Sequence, residues 1–178
     1  MTPHKPDRPN VLVFMTDQQR WDSLGVHGNP LDLTPNLDCL AGSGTDMTHA
    51  FTPQPVCAPA RSVLQTGQYA TQTGVFRNSL ALKPESRTLA HHFNDAGYDT
   101  AYIGKWHLAD SGVEPVPPEL RGGYQHWLAA DIVEFISDAY DARLFNSDGE
   151  QVRMPGYRSD AHIDAAIRYI ADRTRPRA

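Results

Sequence analysis

The chain has 178 residues, 40% hydrophobic and 21% charged, the balance of one soluble globular domain with a real core. Its formal charge of -5 argues against a general nucleic-acid binder, because neutralising phosphates needs a basic face. No apolar run is long enough to span a membrane, and the opening MTPHKPDRPN lacks the apolar stretch of a secretory signal, so a cytoplasmic protein with a flexible segment over 1–9 is expected.

In chain order, NVLVFMTD is a continuous apolar run ending in polar residues, the pattern of a buried strand of a parallel sheet, with Asp17 and Gln18 at its carboxyl end. LTPNLDCLAGSG predicts a helix, with Thr34 as N-cap, Pro35 at the first position and glycine after the end. Cys39, flanked by leucines on that helix, is expected to be a small core residue. ARSVLQTG predicts a second helix with Pro59 in its first turn and Gly67 closing it. SRTLAHHFNDAGYDTAYIGKWHL reads as helix, glycine stop and strand, with Leu89, His92, Phe93 and Ala96 on one helical face. Proline and glycine make 109–121 a loop. ARLFNSDGEQVRM predicts a hairpin turning at Asp148-Gly149. SDAHIDAAIRYIADR predicts an amphipathic helix with Ile163, Ala166, Ile167 and Ile170 on its apolar face.

Strands alternating with helices predict an α/β sheet with helices on both faces. Only two sheet strands and a hairpin are convincing, and the chain stops just after a helix, so the N-terminal piece of a larger α/β enzyme is expected.

Three places carry chemistry. Cys57 falls at the start of a helix, where free N–H groups and the dipole favour negative charge, with Arg61 one turn on. Spacing alone leaves a polarised thiol or anion site against a structural cysteine in a loop. With only Cys39 and Cys57 present and no CxxC spacing, both are expected to be reduced. Asp17 and Gln18 offer oxygens suited to a hard cation outside a strand end, against a capping aspartate and a solvated glutamine. Lys105 and His107 also follow a strand, and alternation puts both on one side with Trp106 on the other. Together they can hold a tetrahedral anion and move a proton, against two polar residues leaving an edge strand. Trp21, Trp106, Trp127 and Tyr124 are read as core residues before pocket residues.

CAPARSVLQTG resembles the signature of the type I sulfatases, C-x-P-x-R with a short run to T-G, and it is accompanied in family order by NVLVFMTDQQRWDSLGVHGNP, TPNLDCLAGSGT, AFTPQPVCAPAR, YIGKWHL and PGYRSDAHIDAAIRYI. The resemblance implies an alkaline phosphatase-like α/β fold, a mixed, mainly parallel sheet flanked by helices, with 10–178 as the N-terminal part of the catalytic domain. It implies that a formylglycine-generating enzyme oxidises Cys57 to Cα-formylglycine, reading chiefly Pro59 and Arg61. The hydrate of that aldehyde has one hydroxyl to attack sulfur and another to help expel sulfate. Asp17, Gln18 and the modified Cys57 are then ligands of a divalent cation, Ca2+ in most members, with Mg2+ or Mn2+ as alternatives. Many relatives have an aspartate where this chain has Gln18, which removes one negative charge. Arg61 holds the formylglycine, Lys105 binds formylglycine or sulfate oxygens, and His107 takes the proton when the ester collapses.

The expected substrate is a sulfate ester of a small molecule or glycan. The alternatives are a phosphonate monoester or phosphodiester hydrolase of the same superfamily, or an inactive anion-binding fragment. Type I sulfatases draw a further Asp with Asn or His, a second lysine and a second histidine from later segments, and Asp160, His162 and Asp164 match none of these motifs. Inefficient turnover by an incomplete reading frame is therefore expected.

Overall fold

A computed structural model describes residues 8–174, so most of the N-terminal segment predicted over 1–9 lies outside the described residues. The chain divides into two compact units, one up to Ala50 and one from Phe51.

In the first unit, the expectation for the leading apolar run is not met. Residues 8–16 carry no regular structure, and Val11, Leu12, Val13, Phe14 and Met15 are exposed. A strand needs a ladder for its N–H and C=O groups and a cover for its side chains. No described strand pairs with this run, so it forms no part of a sheet. Short 3-10 turns follow at Trp21–Ser23 and Gly25–His27. Helix α1 spans Pro35–Ser43, with Thr34 at its N-cap and Pro35 in the first turn.

Thr34 makes no side-chain cap. Its hydroxyl accepts from Gly25 N at 2.9 Å, while Asp38 Oδ1 accepts from Val26 N at 2.8 Å. A Cβ on Gly25 would lie 2.2 Å from Asp38 Oδ2, so a side chain there would have to push the Asp38 carboxylate aside. His27 stacks on Trp21 with centroids 4.0 Å apart and meets Asp46 at 3.1 Å. Cys39 is exposed, against the expected core position, because α1 buries none of its residues.

The second unit holds helices α2 (Cys57–Thr66), α3 (Ala70–Thr73) and α4 (Leu89–Asp95), strands β1 (Ala101–Lys105) and β2 (His126–Ala130), helix α5 (Val133–Ile136), strands β3 (Ala142–Phe145) and β4 (Gln151–Met154), and helix α6 (Arg158–Thr174). The sheet order is β1-β2-β3-β4. The β1–β2 pair is parallel, and the β2–β3 and β3–β4 pairs are antiparallel. The predicted α/β class with a mixed sheet and flanking helices is present.

Alternation along the strands builds two cores. Trp127 and Ala129 of β2 join Ala58 of α2, Trp106, Leu108 and Val116, with Tyr102 packed on that cluster. Ala130 joins Ala142 and Leu144 of β3 and Ala161 and Ala165 of α6, with Ile103 and Leu128 packed against them. Helices therefore cover both faces, as expected for a doubly covered sheet. Trp106 and Trp127 are fully buried, each removing roughly 200 Å² from water and contributing about 5 kcal/mol before entropy. Trp21, by contrast, is exposed. Gly122, at φ +60°, lies against Trp106, where a Cβ would come within 2.8 Å of the indole.

The hairpin is where the sequence predicts it, with Gly149 at φ +81° inside the 146–150 connection. Helix α6 is also as predicted, but not its buried face. Ala161 and Ala165 are buried, whereas Ile163, Ile167 and Ile170 are exposed. Small residues let the helix approach the sheet closely, and the larger isoleucines stay exposed. No described helix is long and apolar enough to cross a membrane.

Candidate active site

Cys57 is the first residue of α2, after an extended Val56 that provides no side-chain cap. Pro59 suits the first turn, where its missing N–H costs nothing, and Gly67 ends the helix at φ +67° with its N–H on Val63 O at 2.8 Å. Asn78 Oδ1 accepts from Ala58 N at 3.1 Å, meeting one of the open donors of that helix end. Cys57 is partly buried.

Arg61 stands four residues on, on the same helical face. It is buried at 7% exposure, its Nη1 donating to Lys105 O and, at 3.3 Å, to Tyr102 Oη. The Tyr102 hydroxyl donates to the same carbonyl at 2.5 Å, and burial raises its pKa above the ordinary phenol value. The helix that carries Cys57 is thus locked to the carboxyl end of β1. Lys105 in turn donates to Glu134 of α5 at 3.1 Å, its side chain only 13% exposed.

His107 is buried with φ +59°. The strand ends at Lys105, so this left-handed turn, and not strand alternation, directs the imidazole. Trp106 enters the core as alternation predicts. A non-glycine residue held there costs on the order of 1–3 kcal/mol, strain that gathers at functional sites. The surrounding loop is fixed by Asp131, a fully buried carboxylate at the end of β2 that accepts from Ala109 N at 3.1 Å and Ser111 N at 2.8 Å.

Burial, and then the charge of Lys105, lower the His107 pKa below the ordinary histidine value; Asp131 and Glu134 oppose this and Arg61 adds to it. The ring is neutral near pH 7, and its Nδ1 is buried without a hydrogen-bond partner. Burial lowers the pKa of His126 and His162 in the same way. The unfolded chain binds these protons at about pH 6.5 and the folded protein only at lower pH, so stability falls as pH drops through the unfolded value. In thermal melts between pH 8 and 5 these three histidines should contribute a loss of stability below about 6.5, against the opposite contribution of His27, whose pKa is raised by its contacts to Trp21 O and Asp46. A His107→Gln variant should decline less steeply; an equal slope would contradict this origin.

Arg61, Lys105 and His107 are therefore brought together, and α2 places Cys57 one turn from Arg61. Asp17 and Gln18 belong to the other unit, exposed at a bend with Gln18 at φ +58°. They are one anionic and one neutral oxygen donor, the right type for a hard cation. They fill only part of a shell of six to eight oxygens, and no group of three or more His, Cys, Asp or Glu side chains gathers around a metal position among the described residues. Motif spacing does not reveal Tyr102, Asn78, Asp131 or Glu134. Only Asp131 has a signal in the sequence, a carboxylate closing the apolar run WLAA.

A family model described as Sulfatase matches residues 9–177. The chain is 37% identical over 168 residues to an ulvan-active sulfatase of Formosa agariphila, covering 93% of this chain and 32% of that protein. A solved structure described as a complex with its substrate D-glucosamine-2-N,6-O-disulfate superposes with a TM-score of 0.77 at 27% identity, over 95% of this chain and 32% of that one. The phosphonate monoester hydrolase of Agrobacterium radiobacter matches with a TM-score of 0.57 at 34% identity, over 68% of this chain and 25% of that one. The chain thus spans about a third of the length of the first two relatives. With the C-x-P-x-R motif opening α2 and the family match running along nearly all of its residues, this chain belongs to the sulfatase family.

Proposed function

We propose that this chain carries the nucleophile-bearing part of a sulfuric ester hydrolase acting on a sulfated saccharide. The observation that carries the reading is the lock between α2 and β1, in which Arg61, one turn from Cys57, bonds the Lys105 carbonyl beside His107. The family match and the saccharides named for the relatives support it.

In this reading Cys57 is converted to formylglycine by a formylglycine-generating enzyme, and the hydrated aldehyde supplies a hydroxyl nucleophile toward sulfur. A divalent cation, Ca2+ or else Mg2+ or Mn2+, would take Asp17, Gln18 and the residue at position 57 as part of its shell and polarise a sulfate oxygen when bound. Arg61 sets a fixed positive charge beside the oxygens at position 57. Its buried guanidinium is already oriented by Lys105 O and Tyr102, so no reorganisation is needed when negative charge develops. Lys105, steered by Glu134, offers its ammonium N–H groups to sulfate oxygens. His107, neutral because it is buried beside Lys105, accepts the hydroxyl proton at position 57 as sulfate leaves.

The second reading, a phosphonate monoester hydrolase, is favoured by the match to the Agrobacterium enzyme. Protein co-expressed with a formylglycine-generating enzyme should hydrolyse 4-nitrophenyl sulfate with the higher kcat/KM when compared with a phenyl phosphonate monoester. The reverse ranking selects the second reading, and no hydrolysis of either by aldehyde-bearing full-length protein would refute both.

A further inference from the structure

Tyr140 and Tyr157 carry rings that neither core absorbs. They are 77% and 47% exposed, with centroids 5.6 Å apart and planes tilted by 54°. Tyr140 borders an open hollow of about 410 Å³ lined also by Arg153, Met154, Pro155 and Gly156. The support beneath it is tied down. Ser137 Oγ donates to Arg143 O at 2.7 Å and accepts from Arg143 N at 2.8 Å. Arg158 N donates to Ala139 O at 2.7 Å, and Arg158 Nη1 to Ser137 O at 3.0 Å. Arg153 is held through Nε alone, on Asp141 at 2.5 Å, which leaves its terminal amino groups as open donors among the described residues.

The strand register places this hollow. Ala129 of β2 pairs with Phe145 of antiparallel β3, so the start of β3 lies beyond the carboxyl end of β2. Ala142 pairs with Met154, which puts the end of β4 there too. Because β1 and β2 are parallel and in register from Ala101 to Lys105, Lys105 emerges at that same end of the sheet. Three strand spacings separate β1 from β4, about 14 Å, the reach of a short oligosaccharide. Helix α5, which supplies Glu134 to Lys105, connects the two regions.

We infer that this hollow is a subsite for a neighbouring sugar unit of a sulfated oligosaccharide whose reacting ester lies at Lys105 and His107; the inference rests on the sulfatase reading above. The Tyr140 face presents rigid apolar area to the C–H face of a pyranose, with the Tyr157 ring tilted against it. The open Arg153 donors suit a hydroxyl or a sulfate oxygen. Pro155 and Gly156 keep the floor small.

The test is calorimetric titration of the protein with a heparin-derived tetrasaccharide and with N-acetylglucosamine 6-sulfate, alongside a 4-nitrophenyl sulfate assay. The wild type should bind the tetrasaccharide more tightly than the monosaccharide. Tyr140→Ala should reduce the ratio of the two affinities about tenfold, the scale of one lost aromatic contact. Tyr140→Phe, which keeps the ring, should retain the ratio, and an unshifted thermal melt shows that the alanine variant is folded. A wild type that binds both sugars equally, or an alanine variant with the ratio intact, overturns the subsite. If full-length, aldehyde-bearing protein does not hydrolyse 4-nitrophenyl sulfate while the ratio still depends on Tyr140, the sugar site stands and the sulfatase reading falls.

Discussion

Cys57→Ala is expected to lower sulfate ester hydrolysis by on the order of 10⁴-fold or more, the scale of losing a covalent nucleophile, while leaving the fold intact. Alanine is a good helix residue. The features that hold this end of α2 lie elsewhere, in the Asn78 contact to Ala58 N and the buried Arg61. Cys57→Ser should also be strongly impaired, for a different reason. Serine offers a single hydroxyl, and its sulfate ester must wait for water, whereas a hydrated aldehyde keeps a second hydroxyl to expel the group. Peptide mass spectrometry of the wild type should find aldehyde at position 57 in step with activity. Full activity in protein whose Cys57 remains a thiol would sink the formylglycine proposal.

The second large effect is on Arg61, where stability and chemistry are coupled. Arg61→Ala removes a buried cation and leaves the Lys105 carbonyl and Tyr102 hydroxyl without the donor that bridges them. It also opens a cavity beside Ala58 and the first core. The expected cost is about 3 kcal/mol, which lowers the melting temperature by roughly 6–12 °C in a chain of this size. Arg61→Lys retains charge but replaces a planar fork with a point donor, so it should recover part of the melting temperature and little of the activity. Thermal unfolding and kcat/KM measured on both variants would check this. A melting temperature unchanged in Arg61→Ala would mean that the α2–β1 lock contributes little.

The elements with short-range signals are legible in the residues themselves. Pro59 and Gly67 bound α2, Asp148-Gly149 marks the hairpin, and the switch from helical to extended pattern at Gly97 marks β1. Cys57, Arg61, Lys105 and His107 are legible because their motif is local and specific. Asp17 and Gln18 stand out in the same way, as donors of suitable type.

What sequence determined by itself, then, is the α/β class, the helices and hairpin that carry local signals, and the candidate positions for chemistry, because capping, turn chemistry and motif spacing act over a few residues. Tertiary structure alone decided which surfaces those elements share. Tyr102, Asp131 and Glu134 act on residues 20 to 41 positions away, through the close approach of a helix and two strand ends that no local pattern encodes. The same holds for α6, where periodicity marks Ile163, Ile167 and Ile170 as apolar but the sheet accepts only the small Ala161 and Ala165. The run from Val11 to Met15 makes the point most sharply. Its hydrophobicity calls for a partner, and hydrophobicity is non-directional, so the run itself does not say which strand would pair with it.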